Sequence, residues 1–133
     1  MKRRLINPPG TERIYESWKF SQAVRVGDTV WVSGQVGAGS DGIPEKIEDQ
    51  ARIAFKSLSR VLEAAGASLA DVVELVTYHT DLSEQAGVSS VKSEFFPKDY
   101  PAWTAVGVTG LALPELRLEV KATAVIGSAE VER

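Results

Sequence analysis

Residues 116–126 read LRLEVKATAVI, a stretch in which apolar and polar side chains alternate through Ala124. Successive side chains of a β-strand point to opposite faces of a sheet, so this alternation predicts a strand with one buried face. Glu119 and Lys121 would point away from that face. The buried face would carry the apolar residues of the pattern, which are Leu116, Leu118, Val120, Ala122 and Ala124.

Helical periodicity is clearest over residues 44–65, where apolar residues recur at three- and four-residue steps. Pro44 suits the first turn of this helix, and Gly66 suits the position just after its end. A second helix is predicted over residues 84–96, where a following proline ends it. Between the two helices, residues 68–71 resemble a capping box that opens a short helical turn.

Four more strands are predicted from β-branched and aromatic residues. Residues 20–26 and 29–36 form a hairpin around a Gly-Asp turn, and residues 72–80 and 103–108 form two separate strands. The order is therefore β-β-α-β-α-β-β. It predicts a single α+β domain over residues 1–133, a mixed sheet with two helices packed on one face.

Two helices are too few to cover every apolar residue of such a sheet. We expect part of this set to lie on the uncovered face, where other copies of the chain would cover it by oligomerisation. The set is Val30, Val32, Val73, Leu75, Ala105 and Val120.

Composition excludes several classes of function. The chain has no cysteine and only one histidine, His79, which excludes disulfides, thiol catalysis and a multi-histidine metal centre. The net charge of −3, with scattered basic residues, provides no basic face for nucleic acid. No apolar run is long enough for a membrane span or a signal peptide, so we expect no membrane partner and a cytoplasmic location.

Several segments, taken in order, resemble the Rid family of reactive intermediate deaminases, also called the YjgF family. They are residues 20–24 (FSQAV), 26–28 (VGD), 32–35 (VSGQ), 62–73 (LEAAGASLADVV), 80–82 (TDL), 94–96 (EFF) and 101–102 (PA). Residues 78–81 and 103–109 resemble a divergent branch of this family, typified by the YjgH proteins.

This resemblance implies a chorismate-mutase-like fold and a homotrimer with a small-molecule cleft at each subunit interface. It also implies a hydrolase that needs no cofactor and converts imines and enamines of amino acids, such as 2-aminoacrylate, to keto acids and ammonia. In the best-known members an arginine follows the Pro-Ala pair and binds the substrate carboxylate. A planar guanidinium suits that task because it can pair with both oxygens at once.

The chain departs from the family pattern at several polar positions. Trp103 takes the place of the arginine, and its indole has one donor and no charge. Ser33 and Gly34 are retained. We therefore do not expect a standard 2-aminoacrylate deaminase. Three more family residues are replaced, a tyrosine by Phe20, an asparagine by Ser89 and a water-positioning glutamate by Lys121.

The predicted ligand site includes residues from neighbouring chains and no metal. It consists of Phe20, Ser33, Gly34, Trp103, Thr104 and Lys121. The candidates for catalysis are Ser33, Lys121 and His79, the only side chain that ordinarily titrates near neutrality.

Each main candidate has a structural alternative. Trp103 either contacts a ligand or packs at a subunit interface. If it contacts a ligand, a cation could lie over its ring. Lys121 either binds an anionic ligand, is solvated, or forms an ion pair with Glu119 or with another chain. His79 is either catalytic or structural.

Three functions remain open from the sequence. The first is hydrolysis of an imine, an enamine or a related C–N bond. The second is a non-catalytic ligand sensor or interaction module. The third is an endoribonuclease, which the missing basic groove disfavours.

Overall fold

The computed structural model describes residues 1–133, and its elements follow the predicted order with two additions near the N-terminus. Short 3-10 turns lie at Leu69–Asp71 and Leu82–Glu84. The helices are α1 (Glu12–Trp18), α2 (Ile47–Ala64) and α3 (Gln85–Phe95). The strands are β1 (Arg4–Ile6), β2 (Ala23–Val26), β3 (Thr29–Val36), β4 (Val72–His79), β5 (Ala102–Gly107) and β6 (Leu118–Val125).

The six strands form one mixed sheet in the order β1-β2-β3-β6-β4-β5. Strands β4 and β5 are parallel, and every other neighbouring pair is antiparallel. Parallel neighbours need a crossover connection, which here contains α3. Strand β6 therefore lies in the interior of the sheet, and β5 forms one of its edges. None of the helices has the length and apolar character needed to cross a membrane.

The core lies between the sheet and helices α2 and α3. Phe55 of α2 stacks on Phe95 of α3 with 5.5 Å between the ring centroids. Val88 and Val91 of α3 belong to the same buried cluster as the inward residues of the sheet. The predicted α+β fold, a mixed sheet with α2 and α3 on one face, is confirmed. All five apolar residues of the alternating stretch are buried, namely Leu116, Leu118, Val120, Ala122 and Ala124.

The two ends of α2 test the predictions made from Pro44 and Gly66. At the C-terminal end, Gly66 has a φ of +86°, and the amide of Ala67 donates to the carbonyl of Leu62 at 2.9 Å. This is the expected glycine-terminated end of a helix. At the N-terminal end the helix begins at Ile47, so Pro44 precedes the first turn and does not lie in it.

The region before β3 differs from the prediction. Strand β1 and helix α1 were not predicted, and the strand expected over residues 20–26 begins only at Ala23. Helix α1 has no buried residue, so it has no apolar stripe that periodicity could reveal. Strand β1 is three residues long and is defined by its pairing with β2.

Six apolar strand residues were predicted to be too many for two helices to cover. Four of the six are buried, with exposures of 0–4%. They are Val30, Val32, Leu75 and Val120. Of the other two, Val73 is 41% exposed and Ala105 is partly buried, so the six residues are not all covered. The side of the sheet opposite α2 and α3, here called the open face, carries exposed Trp31 and Val106. Its other outward residues include Val76, Thr104, Glu119 and Lys121.

Candidate functional site

The predicted site residues lie on both sides of the sheet. Trp103 is in register with the fully buried Leu75, so its indole points to the side covered by the helices. Thr104 is the next residue of β5 and points to the open face. It shares a row of that face with Lys121, because both are in register with Val76 of the strand between them.

Trp103 is held by a buried hydrogen-bond chain. Its Nε1–H donates to Oγ1 of Thr77 at 2.9 Å, and this Oγ1 lies 2.7 Å from Nε2 of His79. Thr77 and His79 are 0% and 1% exposed. An indole N–H can only donate, so Oγ1 of Thr77 accepts from Trp103, and the direction of its hydrogen bond with Nε2 depends on the tautomer of His79. Trp103 is thereby fixed in orientation and packs against the core.

One of the two ring nitrogens of His79 is bonded in this network. If Nε2 accepts the proton of Thr77, the ring of a neutral histidine carries its hydrogen on Nδ1. Nδ1 is buried and has no hydrogen-bond partner. Burial lowers the pKa of His79, which keeps the ring neutral near pH 7. The structure thus places His79 inside the core beside Thr77, on the opposite side of the sheet from Lys121.

Lys92 of α3 lies over the ring of Trp103. Its Nζ is 4.5 Å from the Trp103 ring and 5.8 Å from the centroid of Tyr100. Both distances are within the range of a cation–π interaction. The position considered for a cationic ligand is thus occupied by a cation of the chain itself. Burial lowers the pKa of Lys92, and no acidic side chain forms an ion pair with it.

Ser33 and Gly34 form a bulge in β3. Val32 pairs with Ala122 and Gln35 pairs with Val120, so β3 has one residue more than β6 between these pairs. The hydroxyl of Ser33 donates to the carbonyl of Ser21 at 2.7 Å. Ser33 is therefore bonded within its own chain and is not brought together with His79.

The bulge makes room for Glu119. A Cβ atom at Gly34 would lie 2.3 Å from Oε2 of Glu119 and 2.6 Å from its Cδ, so any larger residue would displace this carboxyl group. Burial raises the pKa of Glu119. Neither Glu119 nor Lys121 takes part in any ion pair of the chain, so the alternative of a Lys121–Glu119 pair within one chain is not observed.

The other predicted residues are more loosely placed. Phe20 lies in the loop between α1 and β2 and is 41% exposed. Ser89 lies on α3 and is partly buried, and Lys121 is exposed. No group of three or more His, Asp or Glu side chains is placed to hold a metal ion.

Three residues with a clear place in these arrangements were not identified from the sequence. Strand alternation puts Glu119 on the same face as Lys121, and the retained Gly34 was the second signal that could have revealed it. Thr77 and Lys92 had no comparable signal, because their contacts with Trp103 depend on how β4 and α3 pack against β5.

Comparisons with known proteins agree with one another. Residues 10–126 match the family model described as endoribonuclease L-PSP. The RutC family protein YjgH of Escherichia coli K12 is 40% identical over 123 residues, covering 90% of this chain and 94% of that protein. A 2-iminobutanoate/2-iminopropanoate deaminase of Dermatophagoides farinae is 36% identical over 110 residues, covering 80% of this chain and 85% of that protein. The crystal structure of Rv2704, a YjgF-family member from Mycobacterium tuberculosis, superposes with a TM-score of 0.83 at 34% identity, covering 94% and 100%.

Proposed function

This chain belongs to the endoribonuclease L-PSP family, the YjgF or Rid proteins, and we propose that it hydrolyses the C–N bond of an imine or enamine. A similar protein is named 2-iminobutanoate/2-iminopropanoate deaminase, which supports this reaction class. The observation that carries the proposal is the carboxyl group of Glu119, which is unpaired, partly buried and raised in pKa beside the Ser33–Gly34 bulge.

Glu119 has the properties of a general base for water. Its ionised carboxylate takes a proton from water as the oxygen attacks the imine carbon, and it returns that proton to the nitrogen, which becomes an amino group. It then takes the remaining hydroxyl proton as the carbonyl forms and passes it to the nitrogen, which leaves as ammonia when the C–N bond breaks. The balanced reaction converts an imine and water to a carbonyl compound and ammonia, with no cofactor. A pKa raised towards neutrality favours both steps, because the group must accept and then release the proton. Lys121 on the same face provides a cation near the reacting ligand.

The open face needs a cover to become a cleft. We propose a homotrimer in which neighbouring copies enclose it, with Phe20, Ser33, Gly34, Trp103, Thr104 and Lys121 contributing to the ligand site. Trp103 has no charge, and its one donor already binds Thr77. An arginine-type clamp is therefore missing at this position, so the proposed activity is not that of a standard 2-aminoacrylate deaminase.

The test is ammonia release, above the uncatalysed rate, from freshly generated 2-aminoacrylate, 2-iminobutanoate and a panel of neutral imines. Glu119→Gln should lower kcat about 100-fold or more, since general-base catalysis contributes that much. The activity of the unchanged protein should rise with pH through a pKa above the usual value for glutamate, about 4.3, because the base must be ionised. Glu119→Gln should abolish this limb of the profile.

Glu74→Gln is the matched control, because Glu74 is an exposed carboxylate of β4 that forms no ion pair. It should leave ammonia release unchanged. The proposal is wrong if no imine is hydrolysed above the blank, or if Glu119→Gln and Glu74→Gln behave alike.

A ligand sensor is the second candidate. The hydroxyl of Ser33 and the indole N–H of Trp103 are already bonded within the chain, as expected for walls that shape a site without reacting. A metabolite that copurifies with the protein and is not converted would favour this function. We do not propose RNA cleavage, because a chain with a net charge of −3 and scattered basic residues offers no groove for RNA.

A further inference from the structure

We propose that Lys92 binds the carboxylate of an anionic ligand and so replaces, from helix α3, the charge missing at Trp103. This inference rests on the proposed function and names the residue that would select a ligand bearing a carboxylate. The ligand would meet a single ammonium group instead of a guanidinium fork, so binding depends on one charge and fixes the orientation of the carboxylate less strictly.

Lys92 is a cation without a counter-ion. The chain contains five ion pairs, and Lys92 is in none of them. Burial is the one influence on its pKa, which it lowers, and no carboxylate acts in the opposite direction. An anion bound at Nζ would form the ion pair that no side chain of the protein provides, and it would favour the charged form of Lys92.

The aromatic contacts position Lys92 and leave its hydrogen-bonding capacity free. Trp103 and Tyr100 attract the ammonium through their ring faces, with 4.5 and 5.8 Å to the ring centroids. A ring face accepts no ordinary hydrogen bond, so the three N–H groups of Nζ remain available to a carboxylate.

The platform beneath Lys92 is itself fixed. Trp103 cannot turn without breaking its bond to the fully buried Thr77, which in turn contacts His79. Strand β5 lies at the edge of the sheet, and Tyr100 next to it is 71% exposed. The ammonium is therefore held against two aromatic rings beside the edge strand, on a side chain that is partly exposed.

Lys92 and Glu119 belong to opposite sides of one sheet. Lys92 lies over Trp103 on the helix-covered side, whereas Glu119 lies on the open face. A small ligand that meets both must therefore lie between two copies of the chain. In such a site one copy holds the carboxylate and the next copy provides the base.

Binding of 2-oxobutanoate, the ketone expected from 2-iminobutanoate, tests the charge without needing turnover. The probe is titrated while the indole N–H resonances are followed by NMR, with butanone as the analogue that lacks the carboxylate. We expect saturable shifts of the Trp103 resonance with 2-oxobutanoate and none with butanone. Lys92→Met should weaken binding about tenfold, as for loss of a charge-assisted hydrogen bond, and Lys92→Arg should largely retain it.

Lys56→Met is the control, since Lys56 is an exposed lysine of α2 in no ion pair, and it should bind like the unchanged protein. Equal affinity in Lys92→Met, equal binding of butanone, or no saturable binding of 2-oxobutanoate would each overturn the proposal. The two proposals fail separately. Binding that depends on Lys92 without ammonia release contradicts only the hydrolysis, and hydrolysis unaffected by Lys92→Met contradicts only the anion site.

Discussion

Polar groups are bonded to one another on the helix-covered side of the sheet and are unpaired on the open face. On the helix-covered side, the indole of Trp103, the hydroxyl of Thr77 and Nε2 of His79 bind one another. On the open face, Glu119 and Lys121 lie on one strand and pair with nothing in the chain. A network closed on itself fixes geometry, whereas unpaired charges are free to act on a ligand.

This difference changes the meaning of each predicted residue. Trp103 and His79 were candidates for ligand contact and catalysis, but the hydrogen-bonding atoms of the network are mostly bound within the chain. The chemistry that the structure leaves unused belongs to Glu119 on the open face and to Lys92 at the rim of the other side. The predictions below change one side at a time.

Among the changes that follow, Gly34→Ala should have the largest effect on activity. The added Cβ would lie 2.3 Å from Oε2 of Glu119, and the flexible side chain can move away without disturbing the backbone. We expect an about 100-fold loss of ammonia release, because a displacement of about 1 Å at a reacting group can cost that much. The melting temperature should change little.

Gly110→Ala is the control for this change. A Cβ at Gly110 would meet no atom within 4 Å, and its backbone is not in the left-handed region. Its activity should match that of the unchanged protein. Full activity in Gly34→Ala would mean that the position of the Glu119 carboxyl group does not matter, and the open face would lose its proposed role.

Mixed assemblies test whether the two sides act on one ligand. Chains carrying Lys92→Met and chains carrying Glu119→Gln are unfolded together, refolded at equal amounts and assayed for ammonia release. In a homotrimer with random assembly, about one quarter of the interface sites would have an intact Lys92 from one copy and an intact Glu119 from the next. Activity should therefore recover to about one quarter of the original value.

Each variant refolded alone is the control and should keep its low activity. If both residues served a site within one chain, no mixture could restore activity, since every chain carries one of the two changes. If the mixture releases ammonia only at the mean rate of the two variants refolded alone, a shared interface site is contradicted.

How far the sequence predicts this molecule follows from the range of the interactions involved. Alternation in β6 and the glycine end of α2 depend on neighbouring residues, and both were predicted correctly. Strand β1 is defined by its pairing with β2, in which Leu5 lies opposite Val24, so no pattern of neighbouring residues predicts it. Helix α1 has no buried residue and therefore no apolar stripe in its sequence.

The site follows the same rule more strictly. Glu119 acquires its raised pKa from packing over a bulge in β3, a strand distant in sequence. Lys92 meets Trp103 only because α3 crosses between two parallel strands and lies beside the edge strand. Family resemblance located the arginine position and the retained Gly34, but it could not show which other side chains provide the missing charges.

Thr77→Val should have the smallest effect on activity and a clear effect on stability. Valine keeps the shape of threonine but removes the hydroxyl, which leaves Nε1 of Trp103 and Nε2 of His79 buried without their partner. Unsatisfied buried groups of this kind cost about 1–3 kcal/mol of the free energy of unfolding. Urea unfolding followed by circular dichroism measures the loss.

Thr104→Val is the control for Thr77→Val. It shows how much stability the sheet loses when a threonine hydroxyl outside the network is removed. Thr104 lies exposed on the neighbouring strand β5 and forms no side-chain hydrogen bond with Thr77 or His79. Its free energy of unfolding should stay within about 0.5 kcal/mol of the original. If both variants lose the same stability, the hydroxyl of Thr77 contributes nothing of its own. Trp103 would then be held by packing alone, and the distinction between a closed side and an open side would rest on Glu119 and Lys121.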